Sequence, residues 1–164
     1  AVPIYVDFGS STITSATPWN NYTSCVSAAP LLLSDAKANA TNVSVRVAGG
    51  FTSVYNGVSG EPDKVMVVDV VEFPMSAWKD GLIVSGVANA GNTEPATVEV
   101  TGLSSASKYN FTILAVRFGG SKAARTSEYT LKGKNTIGPK EIRTGLKLDS
   151  SAKMNINFLI MMQG

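Results

Sequence analysis

Apolar and polar residues alternate along this chain with a period of two far more often than with a helical period. Val43, Val45 and Val47 are separated by Ser44 and Arg46, and Val98 and Val100 by Glu99. Tyr109, Phe111 and Ile113 alternate with Asn110 and Thr112 in the same way. Such segments have one apolar face and one polar face, the pattern of a strand laid against a core. Strands are therefore predicted over 4–8, 43–47, 98–101 and 109–113. Denser apolar runs at 65–71 and 82–84 predict more deeply covered strands, and 127–131, 141–148 and 154–162 complete the set. Turn chemistry separates them: Gly49-Gly50, Asn56-Gly57, Gly60-Glu61-Pro62-Asp63, Asn89-Ala90-Gly91-Asn92 and Gly119-Gly120. Helical signals are confined to one short turn over 74–79, with Pro74 near its start, and a second candidate over 34–40. Many short strands punctuated by Gly, Asn and Pro predict an all-β fold, an antiparallel β-sandwich of jelly-roll type.

The run from Ile156 to Met162 is strongly apolar and is followed only by Gln163 and Gly164. An apolar strand without a successor needs cover, or it becomes an aggregation site. The expectation is a homo-oligomer whose interface includes Phe158, Ile160 and Met162.

Composition narrows the chemistry. The 164 residues suit one domain over 1–164, with no linker, charge block or repeat to divide it. There is no histidine, which removes Ser-His-Asp and Cys-His catalysis and all His-ligated metal sites. The single cysteine, Cys25, has no partner for an internal disulfide. A net charge of +2 with 16% charged residues lacks the concentrated basic surface of a nucleic-acid partner. Ser, Thr and Asn contribute 18, 14 and 11 residues, a neutral and turn-rich β surface. No stretch approaches the roughly 18 apolar residues of a membrane span. The start, Ala1-Val2-Pro3-Ile4-Tyr5, lacks the basic and long apolar regions of a signal peptide.

Catalytic motifs match by letters only. Asp7-Phe8-Gly9 has none of the companion motifs of a kinase, and three Ser-x-x-Lys matches, at Ser34, Ser76 and Ser150, lack a Lys-Thr-Gly partner. Asp69, Glu72, Glu61, Asp63 and Asp80 cluster in sequence without a calcium-loop pattern. Asn-x-Ser/Thr occurs at Asn21, Asn39, Asn42 and Asn110, with Asn110 inside a predicted strand. These readings predict no enzyme, no cofactor and no metal. The aromatics carry more. Sugar rings stack their C–H faces on exposed Trp and Tyr, while Asn and Arg bond the hydroxyls. Trp19, Asn20, Asn21, Tyr55 and Trp78 are the candidate carbohydrate-binding residues, set in polar or turn segments.

Two resemblances follow from longer constellations. Gly102-Leu103, Tyr109, Phe111, Ile113 and Gly119-Gly120-Ser121 resemble the corner of fibronectin type III domains, where a Tyr bonds back to the preceding bend. A second set spans more of the chain: Tyr5-Val6-Asp7-Phe8-Gly9, Pro18-Trp19-Asn20-Asn21, Gly50-Phe51, Asn56-Gly57, Phe73-Pro74 with Ala77 and Asp80, Gly102-Leu103, Tyr109-Asn110-Phe111, Arg125-Thr126 and Tyr129-Thr130. It resembles the galactose-binding-like β-sandwich modules, akin to carbohydrate-binding modules, of secreted bacterial polysaccharide-processing proteins and some phage proteins. The resemblance implies a jelly roll and a non-catalytic binding or structural role, with Arg117 and Arg125 as polar clamps beside the 119–120 turn. Two functions are expected in consequence. One is a surface recognition module for glycans, extracellular or on a cell or virion surface. The other is a self-associating subunit of a surface assembly, such as a phage decoration or fibre protein.

Overall fold

The computed structural model describes residues 2–56, 65–68, 71–84, 95–109, 111–114, 127–133 and 140–144. Among them, strands dominate and helix is confined to one short segment. The strands are β1 (Tyr5–Phe8), β2 (Trp19–Tyr22), β3 (Leu31–Ser34), β4 (Ala40–Gly49), β5 (Ser53–Tyr55), β6 (Met66–Val68), β7 (Val71–Phe73), β8 (Gly81–Ile83), β9 (Thr97–Thr101), β10 (Ser127–Leu131) and β11 (Lys140–Thr144). The helix α1 (Met75–Lys79) lies between β7 and β8. The protein is all-β.

The pairings are β3-β4-β9, β5-β8, β6-β7 and β10-β11, each antiparallel. The pair β1-β2 departs from the expected antiparallel plan, because it is parallel, with Tyr5 beside Trp19 and Phe8 beside Tyr22. The intervening loop turns the chain back without a crossover helix, pinned by Ser10, Thr12 and Ser15.

The period-two pattern explains the core. Val45 and Val47 on β4 are fully buried, and Val98 and Val100 on β9 pack against the same cluster. Ile4, Val6 and Phe8 enter it from β1, with Tyr22, Leu33, Phe51 and Leu82. The Tyr22 ring tilts against Phe8 at 5.6 Å, and its hydroxyl accepts the Val47 N–H at 3.0 Å. Across the exposed side, Arg46 and Glu99 form an ion pair at 2.6 Å, which solvent screens and which adds little to stability.

Several expectations are corrected. Residues 34–40 form no helix; Ser34 ends β3, Ala40 begins β4, and 35–39 are the turn of the β3-β4 hairpin. Asp35 accepts the N–H groups of Lys37 and Asn39 at 2.8 and 2.9 Å, and Ala38 adopts a left-handed φ of 61°. Side-chain bonding to nearby N–H groups is how Asp favours turns over helix. Residues 109 and 111–113 form no strand, although Tyr109 and Phe111 still pack on the core. Tyr109 is held instead by its hydroxyl, which accepts the Ser104 N–H at 2.8 Å and closes the bend before it. The apolar run at 65–71 is divided between β6 and β7, and Val65 and Val67 are exposed rather than covered. The predicted strand at 154–162, with Phe158, Ile160 and Met162, lies outside the described residues.

Candidate functional site

The two faces of the β1-β2 pair have different roles. Because side chains alternate across a strand, Val6, Phe8, Asn20 and Tyr22 share one face, and Tyr5, Asp7, Trp19 and Asn21 the other. On the first face lies the main core. On the second, Trp19 stacks on its cross-strand neighbour Tyr5, with ring centroids 5.1 Å apart and planes 26° from parallel. Phe73, at the end of β7, tilts against Trp19 at 5.9 Å. These contacts hold the indole half-buried and in one orientation.

Beside it opens a shallow cleft of about 170 Å³. It is lined by Thr17, Pro18, Trp19, Asn20, Ser34, Asp35 and Ala38. Two segments meet here: the end of the loop before β2, and the β3-β4 turn. The Asn20 side chain joins them. Its amide N–H groups donate to the carbonyls of Tyr5 and Ser34, at 2.9 and 2.8 Å, and its oxygen accepts the Ser34 N–H at 2.9 Å. Asn20 therefore builds the floor of the cleft, with its donors already committed.

Asp35 is the one carboxylate among the lining residues. Hydrogen bonds from Asn39, its side chain above all, keep the Asp35 carboxyl below the ordinary carboxylate range. The group is an ionised acceptor at neutral pH. The cleft thus combines an anchored aromatic side chain, two hydroxyls and a carboxylate acceptor. That set can bind a neutral polyhydroxyl compound by contact and hydrogen bonds.

The other candidate residues are dispersed. Asn21 uses its amide on one backbone residue, accepting the Ser15 N–H at 2.8 Å and donating to the Ser15 carbonyl at 2.9 Å. It fixes the loop before β2. Tyr55 lies on β5 opposite Gly81 and lines no part of the cleft. Trp78 is expected on an exposed surface, but it sits in α1 with 2% of its area exposed. Its indole is an internal packing element, because the short helix turns Ala77 and Trp78 inward. Arg117 and Arg125 lie outside the described residues.

Of the expected residues, Trp19 and Asn20 line this cleft, and Thr17, Ser34 and Asp35, which the sequence does not single out for binding, line it with them. The signal for Asp35 was present in Asp35-Ala36-Lys37-Ala38-Asn39, a turn-forming sequence read as helix. Asp7 alternates with the apolar Val6 and Phe8, yet it is buried. No family model matches the chain, and neither the curated proteins nor the solved structures contain a match to it.

Proposed function

We propose that this chain is a non-catalytic recognition module of β-sandwich, jelly-roll type that binds carbohydrate at a surface, through the cleft beside Trp19. The observation that carries the reading is the cleft itself. A tryptophan held by Tyr5 and Phe73 borders a shallow opening that also contains the ionised Asp35 and the hydroxyls of Thr17 and Ser34. An aromatic ring fixed before binding loses little entropy when a ligand arrives. A shallow opening suits one or two sugar units of a chain, with weak binding driven by polar contacts.

The test is a glycan array, followed by calorimetry on the best ligand. Trp19→Ala is expected to remain folded and to lose affinity by about tenfold or more. Asp35 supplies an independent readout, since Asp35→Ala removes the carboxylate acceptor from the cleft lining. Unchanged affinity in both folded variants would remove the cleft from the site. An array with no binding by the intact protein would overturn the reading.

A second reading, a self-associating subunit of a surface assembly, is favoured by a separate observation. Val26, Leu32, Val65 and Val67 are 64%, 59%, 58% and 63% exposed. Leu32 lies on β3, at one edge of the three-stranded sheet. Light scattering of the intact chain at micromolar concentration separates the two. A stable trimer or larger closed assembly favours the assembly subunit, and a monomer favours the recognition module.

A further inference from the structure

Two buried acids lie toward the Asp7 face of β1. Asp7 is 3% exposed and Asp80, at the end of α1, is fully enclosed. Gly9 continues the β1-β2 ladder by donating its N–H to the Tyr22 carbonyl at 3.1 Å, so its α-carbon is aligned on the Asp7 side of the strand. A Cβ on Gly9 would overlap the Asp80 carboxyl group. The Asp80 carboxyl therefore occupies the place of the missing Gly9 side chain, on the Asp7 side of β1.

The hydrogen bonds of the four carboxyl oxygens divide evenly. Asp7 Oδ2 accepts the Ser15 hydroxyl at 2.7 Å, and Asp80 Oδ2 accepts the Ser10 N–H. Asp7 Oδ1 and Asp80 Oδ1 are buried and have no partner. Two acceptors without a donor are costly in an interior, and two buried charges are costlier. Protonation removes the charge penalty.

We propose that Asp7 and Asp80 both take up protons in the folded chain as pH falls, and that this buried pair of acids is a pH-sensitive fastening between β1 and α1. A divalent cation fits the site less well. It needs six or so oxygen ligands. The two nearby hydroxyls, of Ser15 and Ser76, already bond to each other at 2.9 Å. No group of three acidic or other ligating side chains is found among the described residues.

Burial, against the opposing hydrogen bond from Ser15, pushes the Asp7 carboxyl up to about 6. Burial also pushes Asp80 up to about 7; the Ser10 N–H opposes that rise and the charge of Asp7 adds to it. The other titratable groups on the adjoining elements are Tyr5 on β1, Tyr22 on β2 and Lys79 on α1. None forms an ion pair with either acid. Loop residues Ser10 and Ser15 and helix residue Ser76 are the polar neighbours, and none of them titrates.

The sign of the effect follows. Both acids hold protons more tightly in the folded chain than at the ordinary value of 3.8. Their stabilisation is fully present below pH 3.8 and is lost as pH rises through about 6 to 7. The thermal midpoint is expected to fall by about 5–10 °C between pH 5 and pH 8. Asp80→Asn mimics the neutral acid, and its amide oxygen can still accept the Ser10 N–H. Asp7→Asn likewise keeps an oxygen that can accept the Ser15 hydroxyl. Either amide variant is expected to flatten the pH dependence and to hold its midpoint at pH 8.

Thermal unfolding of the intact chain and both variants, with and without millimolar calcium, tests this. Equal pH slopes in the intact chain and both variants would overturn the fastening. So would failure of both variants to fold at pH 5, where the site holds neutral carboxyls. A calcium-dependent rise at pH 8 that either amide abolishes would make the pair a cation site instead.

Discussion

Trp78→Ala is expected to destabilise the protein by about 3–5 kcal/mol, through lost apolar contact and the cavity left behind. For a chain of this length the thermal midpoint should fall by roughly 10 °C. The reason is position rather than residue type. Trp78 is 2% exposed on a helix of five residues, so few other side chains of α1 can compensate. Phe73, Ala77 and Asp80, all buried within seven residues of one another, lie on the same short stretch of chain. Thermal or urea unfolding measures the loss. A midpoint within about 2 °C of the intact protein would contradict the burial. The contrast with Trp19→Ala is informative: truncating Trp78 should cost stability first, and truncating Trp19 should cost binding first.

Gly102→Ala is expected to cost at least about 3 kcal/mol, for a purely backbone reason. Gly102 follows β9 and has a φ of 83°, in the left-handed region that L side chains avoid. A Cβ there would also overlap the Asn42 carbonyl of β4. That atom belongs to the sheet, so it cannot swing away as a flexible side chain would. Either the β4-β9 register gives way at Ser44–Thr101, or the bend over 102–109 rearranges. The second route also breaks the Tyr109–Ser104 hydrogen bond. Amide hydrogen exchange of Val43 to Val47 would distinguish these routes, while a stability equal to that of the intact chain would exclude both.

Legibility in the sequence followed the source of each element's stability. The strands β4 and β9 were readable because Val43, Val45, Val47, Val98 and Val100 point inward at a spacing only a strand explains. The turn of helix after Pro74 was readable because proline is tolerated at a helix start. The strand β2 was not. Trp19-Asn20-Asn21-Tyr22 has the composition of a loop, and its extended form depends on Asn20 bonding Tyr5 and Ser34 across the fold. The candidate site divided in the same way. Trp19 was legible as an aromatic in a polar segment, whereas Asp35 joins it only because the β3-β4 turn folds alongside.

By itself, the amino-acid order determined that this protein is built from short strands around an apolar core. Period-two alternation and glycine-rich turns are local, and they act before distant residues meet. Tertiary structure decided which faces are covered. Asp7 alternates like a solvent-facing residue, yet the loop after β1 and the end of α1 close over it. Trp78 carries the chemistry of a binding residue, yet α1 turns it inward. Burial is a property of what packs on a residue, and that partner is set by chain reversals far away in sequence.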